Sequence, residues 1–563
     1  MESGPGMGGM NGWKKQEWIL FLCAMGLLWW GWHTFLFVTD DAYIIFRYAA
    51  QRQAGHGYVW NAPPFLPVEG YSCFAWLVLL DLLTAWTSWP IEHVANGLSL
   101  MASVGILWIF ASMARRVIGK AETGMPGTLY GLALFFLASD RLFLTWTSSG
   151  LETALFNLCV LGWVYWTWPG MAPVSRTQAL RIQLILGGLI SLIRPDGYLF
   201  LASSCVLNAH AMWKRREGEN PPRTVDFWPV LAILGHVVWR KLFYGEWLPN
   251  TYFAKVVGPL PDIGFRYLYS FSLEHGLWLI VPVFGLALFR RIRGATGGSD
   301  RVAHSVLWGT LVAHTLYYAG VAGGDHFEYR ILSHWSPLLA LGVLATSITL
   351  GKSAIIRVGV FSLLLLVHHL LPWIHFGVSQ EHTQWSRTMP SYPVAPELPE
   401  WMRGLGEELD DTQQWLFRHA VGMRHQHHKL FSAYQRAQLP SREAVSAGIG
   451  EEVNPVVVVT SAGIAGWRFL DAHVIDLFGL NDYVTARTPP RTAESARIVA
   501  HARQAPPEYV DAFRPNMVIT PSRVSPFRSR PVPLTDAEIV SIEKRFRESL
   551  PADRNTPQSE TGR

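Results

Sequence analysis

Two adjacent acidic residues, Asp40 and Asp41, directly follow an apolar run over residues 17–38. Neighbouring carboxylates can act as a general base and an electrostatic stabiliser, because like charges push their pKa values apart. Carboxylate oxygens also suit a divalent cation such as Mg2+, Mn2+ or Ca2+. The structural alternative is a helix cap, since residues 40–52 have helical spacing and Asp is common at helix starts. We expect at least one of the two aspartates to be catalytic.

Other polar residues stand beside the apolar runs and are candidates for binding a charged ligand. They are Arg47, His56, Glu69, Arg194, Lys255, Asp325 and Arg330. Guanidinium groups suit bidentate contacts with phosphate. His56 lies between two glycines, in a turn where the backbone can approach a ligand. For the cationic residues the alternative is interfacial snorkelling, which we favour for Lys255 taken alone.

The composition is typical of a membrane protein. Half of the 563 residues are apolar and 16% are charged, whereas an average soluble domain has about 25% charged residues. The net charge of +5 therefore does not indicate a nucleic-acid partner. The four cysteines form no CxxC pair, so they are interpreted as core residues.

Apolar runs long enough to cross a bilayer predict a polytopic helical protein with about eleven transmembrane helices. The segments are 17–38, 91–113, 126–140, 150–168, 178–193, 197–213, 228–243, 272–290, 303–320, 334–350 and 355–377. Five short basic clusters all fall in the cytoplasm only if the apolar run 71–89, which contains Asp81, does not cross. The N-terminus is then cytoplasmic, and the first outer loop covers about residues 39–90. The two aspartates face the outer side.

The chain after the last apolar run has a different character. We predict a transmembrane catalytic domain over residues 1–377, an extracytoplasmic α/β domain over 378–550 and a disordered tail over 551–563. Expected strands lie within 455–463, 472–480 and 514–520, and expected helices within 404–420 and 492–503.

The outer segments combine acids, cations and aromatic residues, a mixture that suits a ligand with both a sugar and a phosphate. No Walker loop, dinucleotide fingerprint or HExxH motif occurs. Since nucleotide sugars remain in the cytosol, a donor on this side has to be attached to a lipid such as a polyprenyl phosphate.

Several motifs together resemble one family. They are "DDAYIIFRYA", "GHGYVWN", "VEGYSCFAW", "SGLETALF", "RPDGYLF", "GEWLPNTYFAK", "GGDHFEYR", "VIDLFGLND" and "PPEYVDAFRPNMVI". In this order they resemble the mycobacterial terminal β-arabinofuranosyltransferases, which have the GT-C fold of polyprenyl-phosphate-dependent glycosyltransferases. The motifs cover most of the chain.

The resemblance implies a role for each candidate residue. It implies that Asp40 and Asp41 are the catalytic pair, and that Arg47, His56 and Glu69 match polar positions of the first outer loop. It places Asp325, Arg330 and Lys255 near the donor phosphate. It also implies a decaprenyl-phosphate arabinofuranose donor, a growing arabinan of the cell envelope as acceptor, and the bacterial cytoplasmic membrane as location.

Three alternatives remain open at this stage. A GT-C enzyme could transfer another sugar, such as mannose, to protein or lipid. A transporter of lipid-linked sugars would carry internal repeats and charges at mid-membrane, whereas most charges here stand at the outer ends of the apolar runs. A scaffold that binds cell-wall polymer would not need the two aspartates.

Overall fold

The structure is a computed structural model that describes residues 13–119, 124–214, 222–293, 298–386 and 391–551. Nearly all of the predicted disordered tail, and most of the basic cluster at 214–223, lie outside the described residues.

The first 380 residues are mainly helical. Their helices are α1 (Lys15–Thr34), α2 (Asp40–Gln53), α3 (Phe74–Thr87), α4 (Ile91–Gly119), α5 (Pro126–Ala138), α6 (Arg141–Thr145), α7 (Thr153–Thr167), α8 (Arg176–Ile193), α9 (Tyr198–Trp213), α10 (Trp228–Tyr244), α11 (Asn250–Lys255), α12 (Pro261–Glu274), α13 (Leu277–Arg293), α14 (Gly298–Tyr317), α15 (Trp335–Leu350) and α16 (Ala354–Gln380). Every predicted transmembrane segment overlaps one of these helices.

These helices differ in length. Among the described residues, α4 and α16 are the two helices that are long and apolar enough to cross a membrane by length and composition. The helices α3, α5, α7 and α15 are apolar but shorter. The number of transmembrane helices and their sidedness therefore stay predictions.

Helix α3 corresponds to the apolar run 71–89, which we predicted not to cross. Its Asp81 is fully buried and accepts hydrogen bonds from Arg52 Nε (2.5 Å), Gln53 Nε2 (3.0 Å) and Tyr58 Oη (2.8 Å). A buried carboxylate needs such partners. Asp81 therefore links α3 to the C-terminal end of α2 and to the turn that follows α2.

The remaining chain forms a small α/β domain. Its elements are α17 (Glu400–Arg418), α18 (His425–Gln438), α19 (Arg442–Ile449), β1 (Val456–Val459), α20 (Ala462–Arg468), β2 (His473–Asp476), α21 (Pro507–Ala512), β3 (Met517–Thr520), β4 (Arg523–Val524) and α22 (Asp536–Glu548). The strands are ordered β2-β1-β3-β4, with β1 parallel to both β2 and β3 and with β4 antiparallel to β3.

The three expected strands and the helix expected within 404–420 are present. The helix expected over 492–503 is not, because only a 3-10 turn occurs there, over Ser495–Arg497. The backbone N–H of Val499 donates to the carbonyl of His419 at the end of α17. This tertiary hydrogen bond replaces the local one that a continuous helix would make.

Candidate active site

The first turn of α2 is positioned by the segment before α7. The backbone N–H of Thr39 donates to the Ser149 carbonyl (3.0 Å), and that of Ser149 donates to the Phe37 carbonyl (3.1 Å). Gly150 has φ +76°, and a Cβ there would lie 2.8 Å from the Cβ of Ala42. The "SGLE" motif thus contains a glycine because α2 packs directly on it.

Asp40 is a buried docking residue. Its carboxylate accepts hydrogen bonds from the backbone N–H groups of Ile464 (2.7 Å) and Gly463 (3.2 Å), in the first turn of α20. A Cβ on Gly463 would lie 1.8 Å from the Asp40 carbonyl oxygen, so only glycine fits this contact. The pKa of Asp40 is raised to about 7, because burial, with a smaller effect of the Asp41 charge, outweighs the lowering effect of the two hydrogen bonds.

Asp41 differs from its neighbour in exposure. It is half-buried, and its side chain makes no hydrogen bond or ion pair among the described residues. Burial lowers the pKa of His326 and of His501, and the negative charge of Asp41 acts against that burial effect at both rings. Asp41 therefore faces the loop that contains His326 and the segment that contains His501, with its carboxylate available to a ligand.

The loop Gly323–Arg330 is held by the C-terminal domain. Gly323 and Gly324 have φ values of +79° and +90°, which glycine adopts without strain. The backbone N–H of Gly422 donates to the Asp325 carbonyl (2.9 Å), and that of Met423 donates to the His326 carbonyl (2.8 Å). The two chain segments run together as a short ladder, which fixes the loop beside α2.

Glu328 of this loop is buried in an ion network and is not available to a ligand. It accepts hydrogen bonds from Arg141, from Arg424 (2.7 Å) and from the backbone N–H of His425 (2.9 Å). Although burial alone would raise the pKa of Glu328, the two arginines hold it below its usual range. These contacts anchor the loop Gly323–Arg330 to Arg141 on α6 and to Arg424 and His425 at the start of α18.

The predicted cations Arg194, Lys255 and Arg330 lie near Asp325. Arg330 Nε is 2.9 Å from Asp325 Oδ2. Burial alone would raise the pKa of Asp325, but the charge of Arg330, with smaller effects of Arg194 and Lys255, lowers it. The charge of Lys255 also lowers the pKa of His326 and His501 slightly. The structure thus brings Lys255 to the same two histidines that face Asp41, and it brings Arg194 and Arg330 to Asp325, which acts on His326.

The three cations differ in how far they are already paired. Arg330 is paired with Asp325, and Arg194 contacts Asp196 (Nε to Oδ1, 3.2 Å) and Tyr318 (Nη2 to Oη, 2.7 Å). Arg194 Nη1 is buried and makes no hydrogen bond. Lys255 is exposed, and its ammonium has no ion pair among the described residues. Nη1 of Arg194 nevertheless lies 3.8 Å from Glu152 Oε1, so of the three cations Lys255 is the one without an acidic partner in the described part of the chain.

Three histidines that the sequence analysis did not select complete this group. The ring of His326 lies 5.4 Å from that of His428 and 5.3 Å from that of His501, measured between centroids. The Nδ1 atoms of His326 and His501 face the carbonyls of Ala420 (2.7 Å) and Val499 (3.1 Å). Nδ1 therefore carries the proton in each neutral ring, and Nε2 is left as an acceptor.

Only one of these histidines had a local signal in the sequence. His326 lies within the "GGDHFEYR" loop, next to the predicted Asp325. His428 belongs to a His-rich run and His501 to a segment predicted as a helix, and neither pattern indicates that tertiary packing brings them together.

Arg47, predicted to bind phosphate, is fully buried in the interface with the C-terminal domain. Its guanidinium donates to the carbonyls of Trp60 (2.7 Å), Gly466 (2.5 Å), Phe469 (2.7 Å) and Ala472 (2.7 Å). The fifth N–H lies 3.3 Å from Asn61 Oδ1. All donors of Arg47 are used, so the structure assigns it to holding two domains together.

Glu69 and His56 also lie apart from the Asp41 group. Glu69 is buried and paired with Arg240 through two contacts, Nε to Oε2 at 2.5 Å and Nη2 to Oε1 at 3.2 Å. His56 is exposed on the turn that follows α2. Among the described residues, no hydrogen bond or ion pair links the side chain of either residue to Asp41 or Lys255.

The predicted divalent cation does not fit Asp40 and Asp41 as a shared pair. Both Asp40 oxygens accept backbone hydrogen bonds and point into α20, whereas Asp41 lies on the exposed side. Hard cations require several oxygen ligands on one side, and this pair supplies one uncommitted carboxylate.

A cleft of about 290 Å3 lies beside this site, between the helical part and the C-terminal domain. It is lined by Tyr43, Glu92, His93, Arg436, Ile464, Trp467 and Arg468. Arg436 Nη1 lies 3.4 Å from Tyr43 Oη. Tyr43 is on α2 and Ile464 also contacts Asp40, so the cleft and the catalytic candidates share the same two helices.

Two curated relatives carry the same name, terminal β-(1→2)-arabinofuranosyltransferase. The protein from Mycobacterium tuberculosis is 26% identical over 365 residues, which cover 58% of this chain and 54% of the relative. The protein from Corynebacterium glutamicum is 25% identical over 522 residues, which cover 82% of this chain and 72% of the relative. The chain resembles the terminal β-arabinofuranosyltransferases. The resemblance inferred from the motifs is thereby confirmed, and the match spans about half the length of the mycobacterial relative.

Two further comparisons concern parts of the chain and its overall shape. A family described as a domain of unknown function, DUF8728, matches residues 430–556. ArnT from Cupriavidus metallidurans bound to undecaprenyl phosphate has a TM-score of 0.45 at 13% identity, covering 82% of this chain and 86% of ArnT. An Archaeoglobus fulgidus oligosaccharyltransferase tethered to an acceptor peptide has a TM-score of 0.38 at 11% identity, covering 82% and 64%.

Proposed function

We propose that the protein is a membrane glycosyltransferase of the GT-C type that transfers arabinofuranose from a polyprenyl-phosphate donor to a cell-envelope glycan on the outer side of the membrane. The similarity to two arabinofuranosyltransferases supports the reaction class. The observation that carries the proposal is that an uncommitted carboxylate, Asp41, and an unpaired ammonium, Lys255, act on the same two neutral histidines, His326 and His501.

Asp41 acts as the general base. The acceptor hydroxyl oxygen attacks the anomeric carbon of the donor, and its proton passes to Asp41. The bond between the anomeric carbon and the phosphate oxygen breaks, and polyprenyl phosphate leaves with the electron pair.

Lys255 and Arg194 bind the donor phosphate. Lys255 has an exposed ammonium without an acidic partner among the described residues. Nη1 of Arg194 is buried and makes no hydrogen bond, although it lies 3.8 Å from Glu152 Oε1. Fixed cations that face the leaving oxygen stabilise the charge that develops there. Arg330 contributes to the field but remains paired with Asp325. The Nε2 atoms of His326 and His501 accept hydrogen bonds from sugar hydroxyls.

The acceptor glycan occupies the cleft between Tyr43 and Trp467. Aromatic side chains pack against the apolar faces of sugar rings, and Arg436, Arg468 and Glu92 offer hydrogen bonds to hydroxyls. Apolar side chains that are exposed on the helical part, among them Trp213, Leu242 and Ile355, are suited to contact lipid.

A donor panel tests the proposal. The purified full-length protein is incubated with a synthetic arabinofuranosyl oligosaccharide and, in turn, with decaprenyl-phosphate arabinofuranose or a polyprenyl-phosphate mannose. We expect release of polyprenyl phosphate and extension of the oligosaccharide with the arabinofuranose donor alone. Transfer of mannose would show that the proposed donor sugar is wrong. Binding of either donor without release of polyprenyl phosphate would show that the protein is a transporter or a scaffold and not an enzyme.

A further inference from the structure

Three potential metal ligands meet at the boundary of α6, α12 and α16. They are Asp140, His275 and His368, all buried, and one ligand atom from each lies within 4.8 Å of the other two. Asp140 is the N-cap of α6, His275 directly follows α12, and His368 lies within α16. This group is distinct from the residues around Asp41 and does not depend on the proposed function.

Both ring nitrogens of His368 face oxygen atoms. Its Nδ1 is 3.1 Å from the His275 carbonyl oxygen, and its Nε2 is 2.6 Å from Asp140 Oδ2. Both partners are acceptors only, and a neutral imidazole carries one proton. The proton satisfies the carbonyl at Nδ1, so Nε2 presents a lone pair to a carboxylate unless a second proton or a metal ion lies between them.

His275 provides an independent indication of a ligand. It is 2% exposed, and its Nδ1 is buried and makes no hydrogen bond. Buried polar atoms are rarely left without a partner. With the ring proton on Nε2, Nδ1 of His275 has a lone pair without a partner, and one ring nitrogen of His275 lies within 4.8 Å of the ligand atoms of Asp140 and His368.

The other hydrogen bonds of Asp140 and His368 are of the kind that orient metal ligands. Asp140 Oδ1 accepts hydrogen bonds from the backbone N–H of Phe143 (2.6 Å) and from Ser336 Oγ (3.1 Å), which leaves Oδ2 for the cation. His368 donates from Nδ1 to a backbone carbonyl. Metal-bound histidines commonly make such a hydrogen bond through their second nitrogen, and it fixes the tautomer.

The nearby charges leave Asp140 uncompensated. Arg141 is paired with Glu328, and Arg424 is paired with Glu274 (2.7 Å) and Glu328 (2.7 Å). These two arginines and two glutamates balance, so among the described residues the ion-pair partner of Asp140 is His368, which is cationic only when both of its nitrogens are protonated. An isolated buried carboxylate is costly, and a bound cation removes that cost.

We propose that Asp140, His275 and His368 bind a divalent transition-metal ion of the Zn2+ class. Two imidazoles and one carboxylate suit such ions better than Mg2+ or Ca2+. Ligands about 2.1 Å from one ion lie roughly 3–4 Å apart. The ligand atoms are now between 2.6 Å and at most 4.8 Å apart, so side-chain movements of up to about 1 Å would form the site. The ion connects three helices that surround the Glu328 network.

Metal analysis of the full-length protein in detergent tests the proposal. The protein is stripped with a chelator, loaded with Zn2+ and passed through a desalting column. We expect one retained Zn2+ per chain, and visible absorption bands when Co2+ replaces it. These two measurements on the unmodified chain do not depend on the folding of any variant. A chain that retains no Zn2+ and shows no Co2+ bands would overturn the proposal and leave a protonated His368 as the cation.

Three substitutions locate the ion. We expect His275→Asn and His368→Asn to abolish retention of Zn2+. The matched control is His369→Asn, since His369 is the next residue on α16 and its two nitrogens face the carbonyls of Leu365 and Phe136. The control should retain Zn2+. Equal loss in all three variants, or retention in all three, would contradict the assignment to this group.

Discussion

Asp40 Oδ1 lies 2.7 Å from the backbone nitrogen of Ile464, a residue 424 positions later in the chain. This hydrogen bond joins the first turn of α2 to the first turn of α20. Because Asp41 is the next residue, the C-terminal domain determines where the candidate base stands. The domain is therefore part of the site and not only a neighbour of it.

The burial of Asp40 makes its contribution to stability dependent on pH. Its pKa is raised from 3.8 to about 7, so between these values the folded protein binds a proton that the unfolded chain releases. The free energy of unfolding then falls as pH rises through this window, by about 1.4 kcal/mol per pKa unit at most. Asp40→Asn removes this term. We expect the melting temperature of Asp40→Asn minus that of the unmodified protein to become more positive from pH 5 to pH 8. A constant difference would show that Asp40 is ionised throughout.

Arg47 is expected to hold the C-terminal domain in place. Arg47→Met removes the hydrogen bonds to three carbonyls of the α20–β2 region and leaves them buried, at about 1–3 kcal/mol each. We expect a loss of at least about 3 kcal/mol, measured by thermal unfolding, and faster proteolysis after residue 380. The control Arg491→Met changes an exposed arginine of the same domain and should have no effect. Loss of donor binding at unchanged stability would instead support the phosphate role predicted from the sequence.

Lys255→Ala tests the phosphate contact. Because Lys255 is exposed and unpaired, its removal should leave the fold unchanged and weaken donor binding. A charge-assisted hydrogen bond contributes about 1.5–3 kcal/mol, so we expect the KM for the donor to rise roughly tenfold to a hundredfold. Lys544→Ala, which changes an exposed lysine on α22, is the control. An unchanged KM would remove Lys255 from the site.

Trp467→Ala tests the acceptor cleft. If the glycan packs between Tyr43 and Trp467, the KM for the oligosaccharide should rise while the KM for the donor stays the same. Aromatic contacts of this kind contribute about 1 kcal/mol or more, which corresponds to roughly a fivefold change. A rise in the donor KM alone would place the donor, and not the acceptor, in this cleft.

Much of the fold follows from local patterns. Apolar runs mark each long helix of the first 380 residues, and the β-branched run 455–459 marks the central strand. The segment 492–503 also has a helical pattern, but its backbone forms a hydrogen bond with the end of α17 instead. A local sequence pattern cannot predict this long-range contact. Tertiary hydrogen bonds override local propensity in such places.

The residues of the candidate site were likewise predictable only in part from the sequence. Asp41, Arg194, Lys255, Asp325 and Arg330 were predicted from residue type and position, and the structure places them around common neighbours. Arg47 and Glu69 are charged residues in similar sequence surroundings, but they are buried against other elements. Charged residues can stabilise an interface as well as bind a ligand, and residue type alone does not distinguish the two roles. The histidine group arises from three distant segments, so it could not be read from spacing.

The most direct test of the account compares Asp41→Asn with Asp40→Asn in the release of polyprenyl phosphate from decaprenyl-phosphate arabinofuranose. General-base catalysis contributes about 10²–10⁴-fold, so Asp41→Asn should lose that much of kcat while it still binds the donor. Asp40→Asn should retain most of its turnover at a temperature where it is folded. Full activity of Asp41→Asn, or a larger loss of kcat in folded Asp40→Asn, would contradict the assignment of Asp41 as the catalytic carboxylate.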